Sequence, residues 1–202
     1  MEEQEGIDFL LVEYGKTLDL IQHYDNIRVS LLRFAASYHS VVGTVAFAIY
    51  RYLYLNDQQS NDMGPAVPIF LGCLLIVAFL IGIGSVAMLA QNRRYFVITA
   101  RQANTIRGVL FKRGSLASSI KSVFPANPDE PKVFNPKSAH LVTIFLLEIV
   151  NSISFSFSSL FFIMTTNLSV IPYYYFIPLI CGLTVFIGQF LLIKRVFLKE
   201  LK

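Results

Sequence analysis

Residues 65–90 read PAVPIFLGCLLIVAFLIGIGSVAMLA, an apolar stretch without one charged side chain. About 20 such residues, at 1.5 Å of rise each, carry an α-helix across the hydrocarbon core of a bilayer. Three further segments meet the same requirement. Residues 34–55 hold Arg51 near one end, 141–164 hold the single charge Glu148, and 173–193 hold none before Lys194. The chain is therefore expected to be an all-α integral membrane protein built as a four-transmembrane-helix bundle. Composition agrees: 54% of the 202 residues are hydrophobic and 15% charged, where a soluble domain carries about 25%. Pro65 and Pro68 before the second span, and Pro172 and Pro178 around the start of the fourth, suit first-turn positions that need no N–H. Pro178 could instead kink the fourth helix.

Orientation follows from the basic residues. Of the 17 Lys and Arg residues, all but Arg51 fall in three segments: the N-terminal 33 residues, the stretch between spans two and three, and the C-terminal tail 194–202. Those segments share one side of a four-span protein, so that side is expected to be cytosolic, with both termini inside. The acidic start, Met1-Glu2-Glu3-Gln4-Glu5, does not have the form of a cleaved secretory signal. Asn167-Leu168-Ser169 matches a glycosylation acceptor, but it lies too close to the membrane to carry weight. Cys73 and Cys181 both fall in apolar runs and suggest neither a disulfide nor a metal framework. A bacterial cytoplasmic membrane is the expected location.

The basic side is more than loops. Ile7, Leu11, Tyr14, Leu18 and Ile21 recur at helical spacing, and no proline interrupts 1–64, so an amphipathic helix over 1–33 should run straight into the first span. Beyond the second span, Tyr95, Ile98, Gln102, Ile106 and Val109 share a face, which predicts a basic helix over 91–113 stopping at Gly114. The two extensions would form an antiparallel cytosolic two-helix stalk. If residue 34 lies level with residue 90, Asp25 falls near Arg101, Asp19 near Arg107, and Glu13 near Lys112 and Arg113. Such pairs would set the register, with other arginines on anionic lipid headgroups. Nucleic acid is not an expected partner, because the basic stretch is matched by acid and lies against the membrane. Residues 114–140, with Pro125, Pro128, Pro131 and Pro136, are expected to be a solvated linker.

Ionisable groups in a span are costly and turn toward protein or water. Glu148 lies about 12 Å inside the third span, counted from Lys137 at 1.5 Å per residue. Ser152, Ser156 and Ser159 continue its face, and Asn151, Ser154 and Ser158 widen it. His39 and Gln189 fall at similar depth, about 9 Å from Arg33 and 7.5 Å from Lys194. A cluster of Glu148, His39 and Gln189 is geometrically allowed, either as a pore lining or as interhelical hydrogen bonding. Small residues recur every fourth position at Ala36, Ser40, Thr44 and Ala48, and Ala78 and Gly82 lie in the second span; both sets are expected to pack spans one and two together.

No phosphate-cradling loop, paired His ligands, close Cys pair or nucleophile elbow occurs. An enzyme is not expected, nor is a cofactor. Two functions fit. One is a homo-oligomeric channel or pore with the third span facing its axis; the other is a membrane scaffold or regulatory subunit whose stalk binds a cytosolic protein. The layout of Tyr95-Phe96 and Arg101–Arg107 after the second span, with the helix before the first, resembles small prokaryotic membrane effectors of antiviral defence. That resemblance implies self-association and membrane permeabilisation under a partner's control, although four spans depart from its usual helical hairpin.

Overall fold

A computed structural model describes residues 2–55, 66–113, 127–166 and 174–197, with the backbone alone for 2–3, 53–55 and 113. The glycosylation tripeptide, Gly114, Pro125 and the tail beyond 197 lie outside the described residues. The described residues hold four helices and no strand. Helix α1 spans Glu2–Leu55, α2 Ala66–Arg113, α3 Ala139–Met164 and α4 Phe176–Val196. Each is long and apolar enough to cross a membrane.

Local sequence explains the ends. Pro68 and Pro178 fall in the first turns of α2 and α4, where backbone N–H groups have no intrahelical partner to lose. Pro178 therefore starts α4 rather than kinking it. Ser138 caps α3, its hydroxyl accepting from the Leu141 N–H. Lys194 and Arg195 stand in the last turn of α4, where positive charge opposes the helix dipole. Nothing interrupts α1 or α2, which run 54 and 48 residues.

Helix α2 is the hub. It packs along α1 on one side and α3 on the other, while α4 lies on α3; α1 and α3 meet only briefly. Two apolar cores result. One gathers Val42, Ala46, Leu71, Leu75, Ala78 and Phe161. The other, centred on Val86, Leu89, Ala90, Val97, Leu141, Ile144 and Leu147, also includes Val133 of the segment before α3. Leu80, Phe47, Leu179 and Leu183 point outward and exposed, as hydrocarbon surroundings allow and water discourages.

The N-terminal half of α1 does pair with the C-terminal half of α2, but not through the expected ion pairs. Asn92 Nδ2 donates to the Tyr24 carbonyl at 2.8 Å, and the Tyr24 and Tyr95 rings stack at 6.0 Å. Arg107 Nη2 donates to the Tyr14 hydroxyl at 2.7 Å, with the guanidinium over that ring. Tyr14, not Asp19, is thus level with Arg107, a slide of more than one helical turn from the charge-matched register. Glu13 bridges Lys16 and Asp25 bridges Arg28, both within α1. Asp19 and Lys112 are exposed, and the Arg113 side chain lies outside the described residues. Leu11 and Leu18, expected in the seam, are exposed, as are Tyr95, Ile98 and Val109; Thr17 is buried in their place. Aromatic and amide contacts fixed a register that solvated charge pairs, each worth about 0–1 kcal/mol, were too weak to choose.

The small-residue ridge needs a parallel correction. Ala36, Ser40, Thr44 and Ala48 are all exposed, and Ala35, Val42 and Ala46 face the bundle instead. Ala78 and Gly82 are buried, with Gly82 turned to α3 rather than α1.

Candidate functional site

The polar face of α3 is turned into the bundle. Glu148 and Asn151 are 0% exposed, Ser158 is 1% and Ser152 7%. Glycine makes this possible on both neighbours. A Cβ on Gly82 of α2 would overlap the Asn151 amide, and one on Gly182 of α4 would overlap the Ser156 hydroxyl. Ser158 Oγ donates to the Gly72 carbonyl of α2 at 2.8 Å, and Ser152 Oγ to the Glu148 carbonyl at 2.8 Å. Ser159 donates to the Phe155 carbonyl of its own helix.

Antiparallel register then places the remaining groups. Gly182 meets Ser152 and Ser156, and Phe190 meets Phe145 with ring centroids 5.4 Å apart. Gln189, two turns beyond Gly182 on the same face, therefore stands level with Glu148. On α2, Ser85 lies three residues beyond Gly82 and is buried, its hydroxyl donating to the Ile81 carbonyl. One layer of the bundle so contains Ser85, Glu148, Asn151, Ser152 and Gln189. Both carboxyl oxygens of Glu148 and both amide atoms of Asn151 and of Gln189 are buried without a protein hydrogen-bond partner. In hydrocarbon each such atom costs several kcal/mol.

His39 is not part of this layer. It lines a groove with Val150, Ile153 and Ser154, which lie 140–240° around α3 from Glu148 at 100° per residue. The expected triad of Glu148, His39 and Gln189 is thus divided, with Asn151 taking the third place. Sequence pattern missed Ser85 and Gly182; a signal for the latter lay in its seven-residue spacing from Gln189.

A second arrangement sits where α2 leaves the bundle. The segment 127–138 is not a solvated linker but a strap laid along α2. Arg93 donates to the Lys132 carbonyl at 2.7 Å and the Val133 carbonyl at 3.3 Å. Arg101 Nε donates to the Pro131 carbonyl, and Asn104 Nδ2 to the carbonyls of Asn127 and Glu130. Val133 is fully buried, and Lys194 of α4 lies 5.2 Å over the Phe134 ring. The prolines deprive the strap of its own ladder, and α2's side chains supply donors for its carbonyls.

His140 closes the strap, its ring 4.7 Å from that of Phe96.

No protein-family model, curated protein or solved structure matches this chain. Among the described residues no group of three His, Cys, Asp or Glu side chains converges. What converges is oxygen-rich: one carboxyl, two amides and hydroxyls.

Proposed function

We propose that this protein forms or gates an ion path across a membrane, with Glu148, Asn151 and Gln189 as the proton- or cation-binding constriction inside each protomer. The observation that carries this is the layer of three side chains, Glu148, Asn151 and Gln189, whose polar atoms are buried without a protein partner. A hard monovalent cation or a proton is the species such oxygen donors serve. The buried polar face of α3 favours a path between α2, α3 and α4 over one lined by α3 at an axis between copies. The distribution of basic residues supports both termini in the cytosol, and a bacterial inner membrane is the setting we assign. The role is conductive rather than enzymatic, and it needs no cofactor.

The test is membrane potential in cells expressing the wild type, Glu148→Gln or Ser152→Leu at matched membrane levels. Depolarisation by the wild type, reduced at least about tenfold by Glu148→Gln, is expected. No depolarisation by the wild type, in cells or as cation or proton flux in proteoliposomes, overturns the proposal.

A scaffold role has its own support in the paired extension of α1 and α2. Phe9, Leu11, Val12 and Leu20 of α1 and Ile98 and Val109 of α2 are exposed there, more apolar surface than an isolated stalk in water needs. It suits a second copy or a cytosolic protein. If the wild type conducts nothing, crosslinking at Leu20 and Ile98 in membranes is the experiment that separates these two.

A further inference from the structure

The paired extension of α1 and α2 has one covered flank and one bare one. On the covered flank Arg107 reaches Tyr14, and the strap lies on Arg93, Arg101 and Asn104. On the other, the Tyr24 and Tyr95 rings stack. At 100° per residue, Phe9 and Leu20 of α1 fall within about 60° of Tyr24, and Ile98 and Val109 of α2 within about 60° of Tyr95. All four are exposed. The contacts of Tyr14 with Arg107 and of Tyr24 with Tyr95 bring level those positions of the two helices whose numbers sum to about 120. Phe9 therefore stands beside Val109, and Leu20 beside Ile98. The charges between Phe9 and Leu20 on this flank, Glu13 and Lys16, neutralise each other across 2.8 Å.

The two edges of the flank carry opposite charge. Asp8 and Asp19, about three turns apart, lie on the side of α1 turned away from α2; Arg101 and Lys112, equally spaced, lie on the side of α2 turned away from α1. By the same sum Asp8 is level with Lys112, and Asp19 with Arg101. Within one chain the width of two helices, about 20 Å, separates these edges. Accordingly Asp8, Asp19 and Lys112 enter no ion pair among the described residues. A second chain removes the separation. Copies whose spans cross one bilayer in the same sense stand at the same height, and a two-fold axis along the membrane normal lays α1 of each against α2 of the other. Each acidic edge then meets a basic edge at its own level, on both sides of an apolar centre.

We propose that the bare flank binds the same flank of a second copy, closing the two stalks into a four-helix bundle. Phe9, Leu20, Ile98 and Val109 lie inside it, and Asp8 pairs with Lys112 and Asp19 with Arg101 between copies. Apolar positions flanked by complementary charges are how helical seams choose partner and register. What selects a second copy over another protein is that this chain already carries both halves of the match, at matching heights. The proposal rests on the reading of the stalk as a binding face and names its occupant; it is independent of conduction.

The test is disulfide crosslinking in membranes, using the full chain with Cys73→Ala and Cys181→Ala. Two differently tagged copies are expressed together, one with Leu20→Cys and the other with Ile98→Cys. A mixed dimer is expected, at least about fivefold above that from Leu18→Cys with Ile98→Cys, because Leu18 is exposed on the Tyr14 flank. Asp8→Lys in both copies, or Lys112→Glu in both, should lower the mixed dimer about fivefold. Asp8→Lys in one copy with Lys112→Glu in the other leaves both contacts between these positions opposite in charge, and crosslinking should recover. No effect confined to one chain predicts that recovery. Absence of the mixed dimer, or equal crosslinking from Leu18→Cys, overturns the proposal. So does a mixed charge pair that crosslinks no better than either variant alone. Membrane potential in the same cells is read separately: depolarisation without the crosslink overturns the dimer and leaves the conducting layer standing, and the crosslink without depolarisation does the reverse.

Discussion

Replacing Gly82 by valine is expected to separate α2 from α3 locally and to lower the melting temperature in detergent by more than any other single change in the spans. Even a lone Cβ would overlap the side-chain oxygen of Asn151, with the rest of that amide also too close. Asn151 is 0% exposed, enclosed by the bundle. Overpacking of this kind costs about 1–3 kcal/mol, and the β-branched side chain should reach the upper end. The informative control is compensation. Gly82→Ala with Asn151→Ala removes the atoms that collide, and the pair should be markedly more stable than Gly82→Ala alone. A Gly82→Val protein with unchanged melting would show that α2 and α3 do not approach this closely.

The second large effect belongs to Arg93→Ala. Arg93 is 2% exposed, and its guanidinium donates to two strap carbonyls while lying over the Phe96 ring. Hydrogen bonds from a charged donor contribute about 1.5–3 kcal/mol each, and the loss strands the carbonyls of Lys132 and Val133. Hydrogen exchange of the peptide covering 127–138 should accelerate at least about tenfold, with α3 and α4 little affected. Arg94→Ala, at the exposed neighbour, provides the baseline and should leave exchange unchanged. Equal exchange in the two variants would remove Arg93 as the strap's anchor.

The sequence made some of this legible and hid the rest for physical reasons. Apolar length announced the four helices, because it depends on composition and not on partners. The inward turn of Glu148 followed from the cost of a carboxyl in lipid, which holds whichever neighbour covers it. Neighbours themselves were not legible. Rotations of α1 and α3 about their axes decided that His39 would face a groove and Asn151 would join Glu148, and apolar length alone does not fix a helix's rotation. The ridge from Ala36 to Ala48 shows the same blindness: small side chains permit close approach, but do not say to what.

The stalk pairs failed for a different cause. Asp25, Asp19 and Arg107 could have met in several registers of similar energy, so charge matching alone selected none. Tyr14, Tyr24 and Asn92 had fewer good solutions and prevailed. Arg101 was already engaged, since the prolines of 127–138 left carbonyls that a side-chain donor had to satisfy. Four prolines suggested an unstructured tether; the acceptors they leave behind were the better clue.

Helices α1 and α2 pass from the bundle into their paired extension without a break. If the first span begins at residue 34, the 32 residues of α1 before it form a lever arm of about 48 Å, with its fulcrum where the span begins. A tilt of roughly 10° among the spans would sweep its tip through about 8 Å, and a force applied at the tip would return to the polar layer as torque. The strap, anchored to α2 near that fulcrum and continuous with α3, stands where such rotation would be either transmitted or braked.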